Sequence, residues 1–272
     1  MPQFKRGESE MILPNHVNIE LTSRCNKSCW MCGRRKNEPK EPGDMPIEMV
    51  HKIANQLPRH TVVQLHNNGE PLLYPYLGEA VNALKHCIVG LNTNGKLLCD
   101  KAADLMDLNS LTISIIQDDA EGEEQVLKVQ SYLELEIYKP PIIVFRFLGK
   151  IDDERMRAFT TLTKEHMIHI AYRQLHAPGG SFDYEKQVTM PEMGICLEAL
   201  NKLSIDRFGN VSPCVRFDPD GKHIIGNIND ETLEQIWNGI KHDVFIKYHL
   251  FGRRWKASPI CATCHFWGIP RG

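Results

Sequence analysis

Residues 16–32 read HVNIELTSRCNKSCWMC. His16 to Thr22 is a short strand-like run, and directly behind it stand Cys25, Cys29 and Cys32 in the spacing Cx3Cx2C. Three thiolates from one loop can hold three irons of a cubane cluster. The fourth iron then stays open for a ligand, as a catalytic zinc keeps one position open. The loop also sits at the C-terminal end of a strand, where α/β folds place their sites. The spacing alone also suits a zinc knuckle or three structural cysteines, so its surroundings must decide.

Those surroundings repeat the strand–helix alternation. Strand-like runs follow at 61–66, 88–93, 110–116, 141–147 and 167–172, each short and rich in Ile, Val or Leu. Such runs fit strands buried on both faces of a parallel sheet. Helical spacing appears between them. In residues 46–57, Ile47, Val50, Ile53 and Leu57 share one face, and Pro46 suits a first turn. Residues 76–86, 98–107, 122–134 and 152–166 read as helices too. Six strand–helix units in a row predict a parallel α/β architecture with right-handed crossovers. Periodicity alone does not separate an open sheet from a full or partial barrel.

The pattern changes at APGGSF (177–182), read as a linker. Beyond it a hairpin is predicted, turning at Gly209-Asn210, then a short helix opened by Thr232 and Leu233, then a loop-rich tail containing Cys261-Ala-Thr-Cys264. The expected division is a barrel over 14–176 and a small domain over 177–272.

The net charge of −2 gives no basic stripe for nucleic acid, and no apolar run approaches the ~20 residues needed to span a bilayer. A cytoplasmic protein is expected. In a reducing compartment nine cysteines point to metal or redox chemistry rather than to disulfides. Cys87 and Cys99 fit no cluster spacing and are read as small buried hydrophobes. Cys196, Cys214, Cys261 and Cys264 form a second set. Four thiolates saturate a cubane or make a tetrahedral zinc site.

The motif Cx3Cx2C after a first strand resembles the signature of the radical S-adenosylmethionine (SAM) superfamily. HNNGEPLLYP (66–75) is similar to the GGEP element of that family, with Asn68 in place of its first glycine, and LNTNGK (91–96) is similar to its TNG segment. The resemblance covers about residues 16–173. It implies a partial (β/α)6 TIM-like barrel and a [4Fe–4S] cluster on Cys25, Cys29 and Cys32 whose open iron chelates SAM. One-electron cleavage then yields a 5′-deoxyadenosyl radical that abstracts a substrate hydrogen. It also implies that Met31, Gly69, Glu70, Pro71, Thr93, Asn94, Ser114 and Arg146 serve SAM. Arg146 is a charge within a strand and is also a candidate for the substrate.

The run from Cys196 through GNVSPC, IIGNIND, LEQIWN and CxxC resembles the SPASM family of C-terminal domains. No cysteine follows Cys264, which matches the shortened, one-cluster twitch form. The resemblance implies a second [4Fe–4S] cluster on Cys196, Cys214, Cys261 and Cys264, with SAM, a substrate and an external one-electron donor of flavodoxin or ferredoxin type as partners. The function expected is a two-electron oxidation of a small polar, sugar-like substrate, with the second cluster accepting an electron. Arg146, His176 and Tyr184 are candidates for the catalytic group, with Arg173 and Asp183 nearby in sequence.

Two alternatives stand beside this. One is thioether formation or epimerisation on a ribosomally made peptide, although only 24 residues precede Cys25 to recognise one. The other is a non-catalytic binding module stabilised by zinc.

Overall fold

The computed structural model describes residues 13–35, 41–117, 119, 121–164, 166–173, 175, 196–215, 218 and 221–264. His176, Asp183, Tyr184 and the expected linker at 177–182 lie outside the described residues, as does the segment after Cys264.

Six parallel strands form in sequence order: β1 His16–Ile19, β2 Val62–Leu65, β3 Ile88–Thr93, β4 Ser110–Ile116, β5 Ile142–Leu148 and β6 Ile168–Arg173. Each neighbours its predecessor, so the sheet order runs β6-β5-β4-β3-β2-β1. Four helices cross between them: α1 Ile47–Ala54, α2 Leu77–Ala83, α3 Gly122–Glu134 and α4 Asp153–Leu162. The Asp152 carboxylate caps α4 by accepting from the Arg155 N–H at 2.8 Å. The segment expected as a helix at 98–107 is instead a short 3-10 turn, Ala102–Leu105.

The strands differ from the expectation of two apolar faces. On one face the register aligns Val17 with Val63 and Val89, and Leu91 with Leu111 and Ile143. This face is buried against the helices, where Phe159 of α4 meets Phe145 and Phe147 edge-on. On the other face the register aligns Ser204, Asn18 and Gln64, and one row further Asn92 with Thr112. That face is polar because it lines a site instead of a core.

The chain beyond residue 195 extends the same sheet. After α5 Leu197–Asn201, strand β7 Lys202–Ile205 pairs parallel to β1, and β8 Asn210–Ser212 and β9 Gly226–Asn227 follow antiparallel. The hairpin turn is Asp206–Gly209, not Gly209-Asn210. The Asp206 carboxylate accepts the N–H groups of Phe208 and Asn210, Gly209 takes φ +82°, and Asn210 already belongs to β8. A left-handed φ is the position glycine fills without strain.

Then come α6 Leu233–Trp237, α7 Ile240–Leu250 and α8 Pro259–Thr263. Thr232 and Gln235 close a capping box on α6, as the sequence reading of its start required. Over Ile240–Cys264 the described tail carries α7 and α8 where loops were expected. The buried residues of α7 include His242, Phe245 and His249, at helical spacing, and two histidines hide an apolar stripe from a hydropathy reading. Among the described residues no helix is long and apolar enough to cross a membrane.

Candidate metal and SAM site

The first cysteine loop is held from below by the turn after β2. The Glu70 N–H donates to the Arg24 carbonyl at 2.8 Å. A Cβ on Gly69 would stand 1.9 Å from the Thr22 carbonyl oxygen and 2.8 Å from that of Arg24. Only glycine permits this approach of two backbones. Further ties fix the loop from the side. Arg24 pairs with Asp44, Asn94 Nδ2 donates to Asn26 Oδ1 at 2.7 Å, and Lys27 forms a buried ion pair with Asp119.

Cys25, Cys29 and Cys32 are half-buried and lie within electrostatic reach of one another. Burial pushes the Cys25 thiol up and the Cys29 thiol up to about 11. As free thiols Cys25 and Cys29 are therefore poor nucleophiles, and a bound cation would supply the charge that deprotonates them.

Glu70 is buried, and its carboxylate is nearly consumed. Oε1 accepts from the Leu72 N–H at 3.1 Å and the Thr93 hydroxyl at 2.7 Å, while Oε2 accepts from the Asn94 N–H at 2.8 Å. A carboxylate has about four acceptor sites, so one remains, on Oε2. Thr93 also accepts from the Gly95 N–H at 2.9 Å. The GEP and TNG segments, far apart in sequence, are thus one hydrogen-bonded unit. Pro71 opens the 3-10 turn that follows Glu70, and Met31 lies half-buried in the cysteine loop.

The polar face of the sheet carries the remaining candidates. Ser114 sits opposite Arg146 in the register. Arg146 donates through Nη2 to Asn92 Oδ1 at 2.6 Å, and Gln64 Nε2 donates to the same oxygen at 3.0 Å. Burial, with the charge of Arg173, lowers Arg146 to about 10, so it stays cationic at neutral pH. His66, half-buried and near both arginines, is pushed down to about 4 by desolvation and their charges and is neutral. Asn18, Glu20, Gln64, His66 and Asn92 escaped the sequence reading. Their signal was the polar residue at every second position of otherwise apolar strands.

Cys196, Cys214, Cys261 and Cys264 line one cavity, from α5, the end of β8, and α8 with its cap. Burial pushes Cys196 up and, together with Cys264 and Cys196, Cys261 up to about 12. Arg254 donates to the carbonyls of Cys261 and Cys264. His223 Nε2 lies 3.3 Å from Cys214 Sγ. Among the described residues no three His, Cys, Asp or Glu side chains close on a point as the ligands of one ion would. The four thiols share one cavity with Glu198, His223 and His249, and four thiolates around a cavity suit a cluster. Cys87 and Cys99 join neither set, and each thiol makes a long contact to a backbone carbonyl.

Residues 196–265 match the SPASM family, described as an iron-sulfur cluster-binding domain. The S-adenosyl-L-methionine-dependent 2-deoxy-scyllo-inosamine dehydrogenase of Niallia circulans is 24% identical over 258 residues, covering 92% of each chain. In sequence and cysteine pattern the chain is similar to radical SAM enzymes that carry a SPASM-like domain. The crystal structure of BtrN in complex with AdoMet and 2-DOIA shares its fold, with TM-score 0.62 and 22% identity over 93% of this chain and 94% of that one. So does native anSMEcpe with bound AdoMet and Cp18Cys peptide, with TM-score 0.58 and 17% identity over 92% and 86%. The reading as a non-catalytic zinc module is set aside. The cofactors of a radical SAM enzyme, SAM and iron–sulfur clusters, suit both cysteine sets found here.

Proposed function

We propose that this enzyme carries out a two-electron oxidation of a small polar, sugar-like substrate. The observation that carries the reading is the cavity walled by four cysteines, in a domain whose strand β7 pairs directly with β1 of the barrel. In this reading the barrel comprises residues 14–176 and the small domain 177–272. Cys25, Cys29 and Cys32 hold a [4Fe–4S] cluster with one iron open to SAM, and the second set holds a fully ligated [4Fe–4S] cluster. When bound, the first cluster and SAM would supply hydrogen-atom abstraction and the second cluster a one-electron acceptor, while the substrate's remaining proton leaves to solvent.

The chain's own residues do the rest. Glu70 keeps one carboxylate acceptor site for the SAM amino group while Thr93 and Asn94 hold it still. Arg146 is fixed by Asn92, which Gln64 holds in turn, and it presents a cation to hydroxyl or amino substituents on the polar face. Met31, Pro71 and Ser114 complete the SAM surroundings. The electron for initiation comes from an external carrier of flavodoxin or ferredoxin type. Likeness in sequence to a dehydrogenase over nearly the whole chain supports the substrate class.

The test is anaerobic incubation with SAM, dithionite and a panel of aminocyclitols and aminosugars that includes 2-deoxy-scyllo-inosamine. The expected result is 5′-deoxyadenosine together with a product lacking two hydrogens. Failure to oxidise any of the panel, alongside conversion of a peptide, would move the assignment to peptide modification.

A further inference from the structure

The segment Ile240–Cys264 carries five lysines and arginines against a single aspartate, in a chain whose net charge is −2. Asp243 is already paired with Lys247 at 2.6 Å. Lys222, Lys241 and Lys256 are exposed and line one open pocket, whose floor is Ile240, Val244 and Tyr248. Ile240 in that lining is 79% exposed, and on the same segment Phe251 is 71% and Trp255 58% exposed. An apolar centre inside a charged rim is the anatomy of a protein contact surface.

Its position gives it a purpose. His223 and Phe245 line this pocket and also the cavity of Cys196, Cys214, Cys261 and Cys264. The two rings meet edge-on at 5.1 Å. One layer of side chains therefore separates the cysteine cavity from the basic surface. Asp218, preceding this edge, has its carboxylate occupied by the N–H groups of Lys222 and His223.

We propose that this face docks a small acidic one-electron carrier, which exchanges electrons with the second cluster through the wall made by His223 and Phe245. The inference rests on the proposed function, in which that cluster accepts one electron from the substrate. The oxidised carrier is reduced by that one electron, and the cluster returns to its oxidised state. Weak redox encounters bury less than about 1,200 Å², so a patch of this kind is sufficient. Complementary charge chiefly speeds and orients such encounters, and salt weakens them.

The test compares two charge reversals in the reconstituted holoenzyme. Lys241→Glu/Lys256→Glu changes the proposed face. Arg59→Glu/Lys164→Glu makes the same change in exposed residues preceding β2 and β6. Affinity for an acidic flavodoxin and for an acidic [2Fe–2S] ferredoxin is measured by calorimetry at low and high salt. Dithionite-driven formation of 5′-deoxyadenosine is followed in parallel. The first variant should bind at least one carrier about tenfold more weakly than the parent and lose most of the salt dependence. The second should bind like the parent. Equal weakening in both variants, or a parent that binds neither carrier at low salt, would overturn the proposal. So would a parent dimer that dissociates only in the first variant, since a second copy would then be the occupant. Loss of dithionite-driven turnover in the parent would instead overturn the proposed function, because the binding comparison does not depend on it.

Discussion

The carboxylate of Glu70 accepts the hydroxyl of Thr93 at 2.7 Å, joining the turn after β2 to the last residue of β3. The same carboxylate satisfies the Leu72 and Asn94 N–H groups in a buried setting. Burial pushes its pKa up, and these three donors oppose the shift. Glu70→Ala strands all three, which costs about 2 kcal/mol or more. The expected result is a fall of several degrees in Tm together with loss of SAM binding in equilibrium dialysis. Thr93→Val strands the Gly95 N–H alone and should cost about half as much.

Gly69 has no room for a side chain, because a Cβ there meets the Thr22 carbonyl at 1.9 Å. Those atoms belong to the backbone leading into Cys25. Gly69→Ala should therefore push the loop off its seat and remove the first cluster, about four irons per chain, while the second set keeps its own. Iron and sulfide analysis after anaerobic reconstitution reads this directly. Full iron content would mean the loop does not depend on that approach.

Glu20 predicts a pH dependence. Burial raises its carboxyl from 4.5 to about 7, aided by Asp206 and opposed by Asn68 and Arg207. Between those values the folded protein holds a proton that the unfolded chain has released. Stability contributed at this site is therefore complete below pH 4.5 and falls as pH rises towards 7, by roughly 3 kcal/mol. Glu20→Gln cannot ionise. In denaturant titrations the stability of the parent relative to Glu20→Gln should drop from about pH 5 to about pH 8. A constant difference would show that Glu20 is ionised throughout.

The barrel was legible from short apolar runs and their order. β3, β4 and α3 fall where the sequence put them, because each is bounded by turn residues and carries an unbroken pattern. The polar inner face was not legible, since Asn18, Gln64 and Asn92 each look like a single interruption until the register aligns them. α7 escaped because His242 and His249 take core positions. The cysteines pointed to both candidate metal sites, but spacing says nothing about what stands between motifs. The engagement of Glu70 by Thr93 and Asn94, and the placement of His223 against Cys214, depend on segments brought together only by folding.

Arg146 should separate the two halves of the reaction. It is a half-buried cation held by Asn92 on the polar face. Arg146→Met removes the charge and keeps much of the length. Loss of substrate orientation of this kind costs about a hundredfold in product formation. The prediction is that loss with continued release of 5′-deoxyadenosine, measured together by mass spectrometry. Equal loss of both products would place Arg146 on SAM instead.

The central claim is that the chain holds two separate clusters on two cysteine sets. The most direct measurement is iron and sulfide content of the anaerobically reconstituted parent beside the Cys25→Ala/Cys29→Ala/Cys32→Ala variant, with zinc determined in both. Two cubanes predict about eight irons in the parent and about four in the variant. A parent that contains zinc, with a variant that loses all its iron, would contradict the second cluster and with it the proposed oxidation.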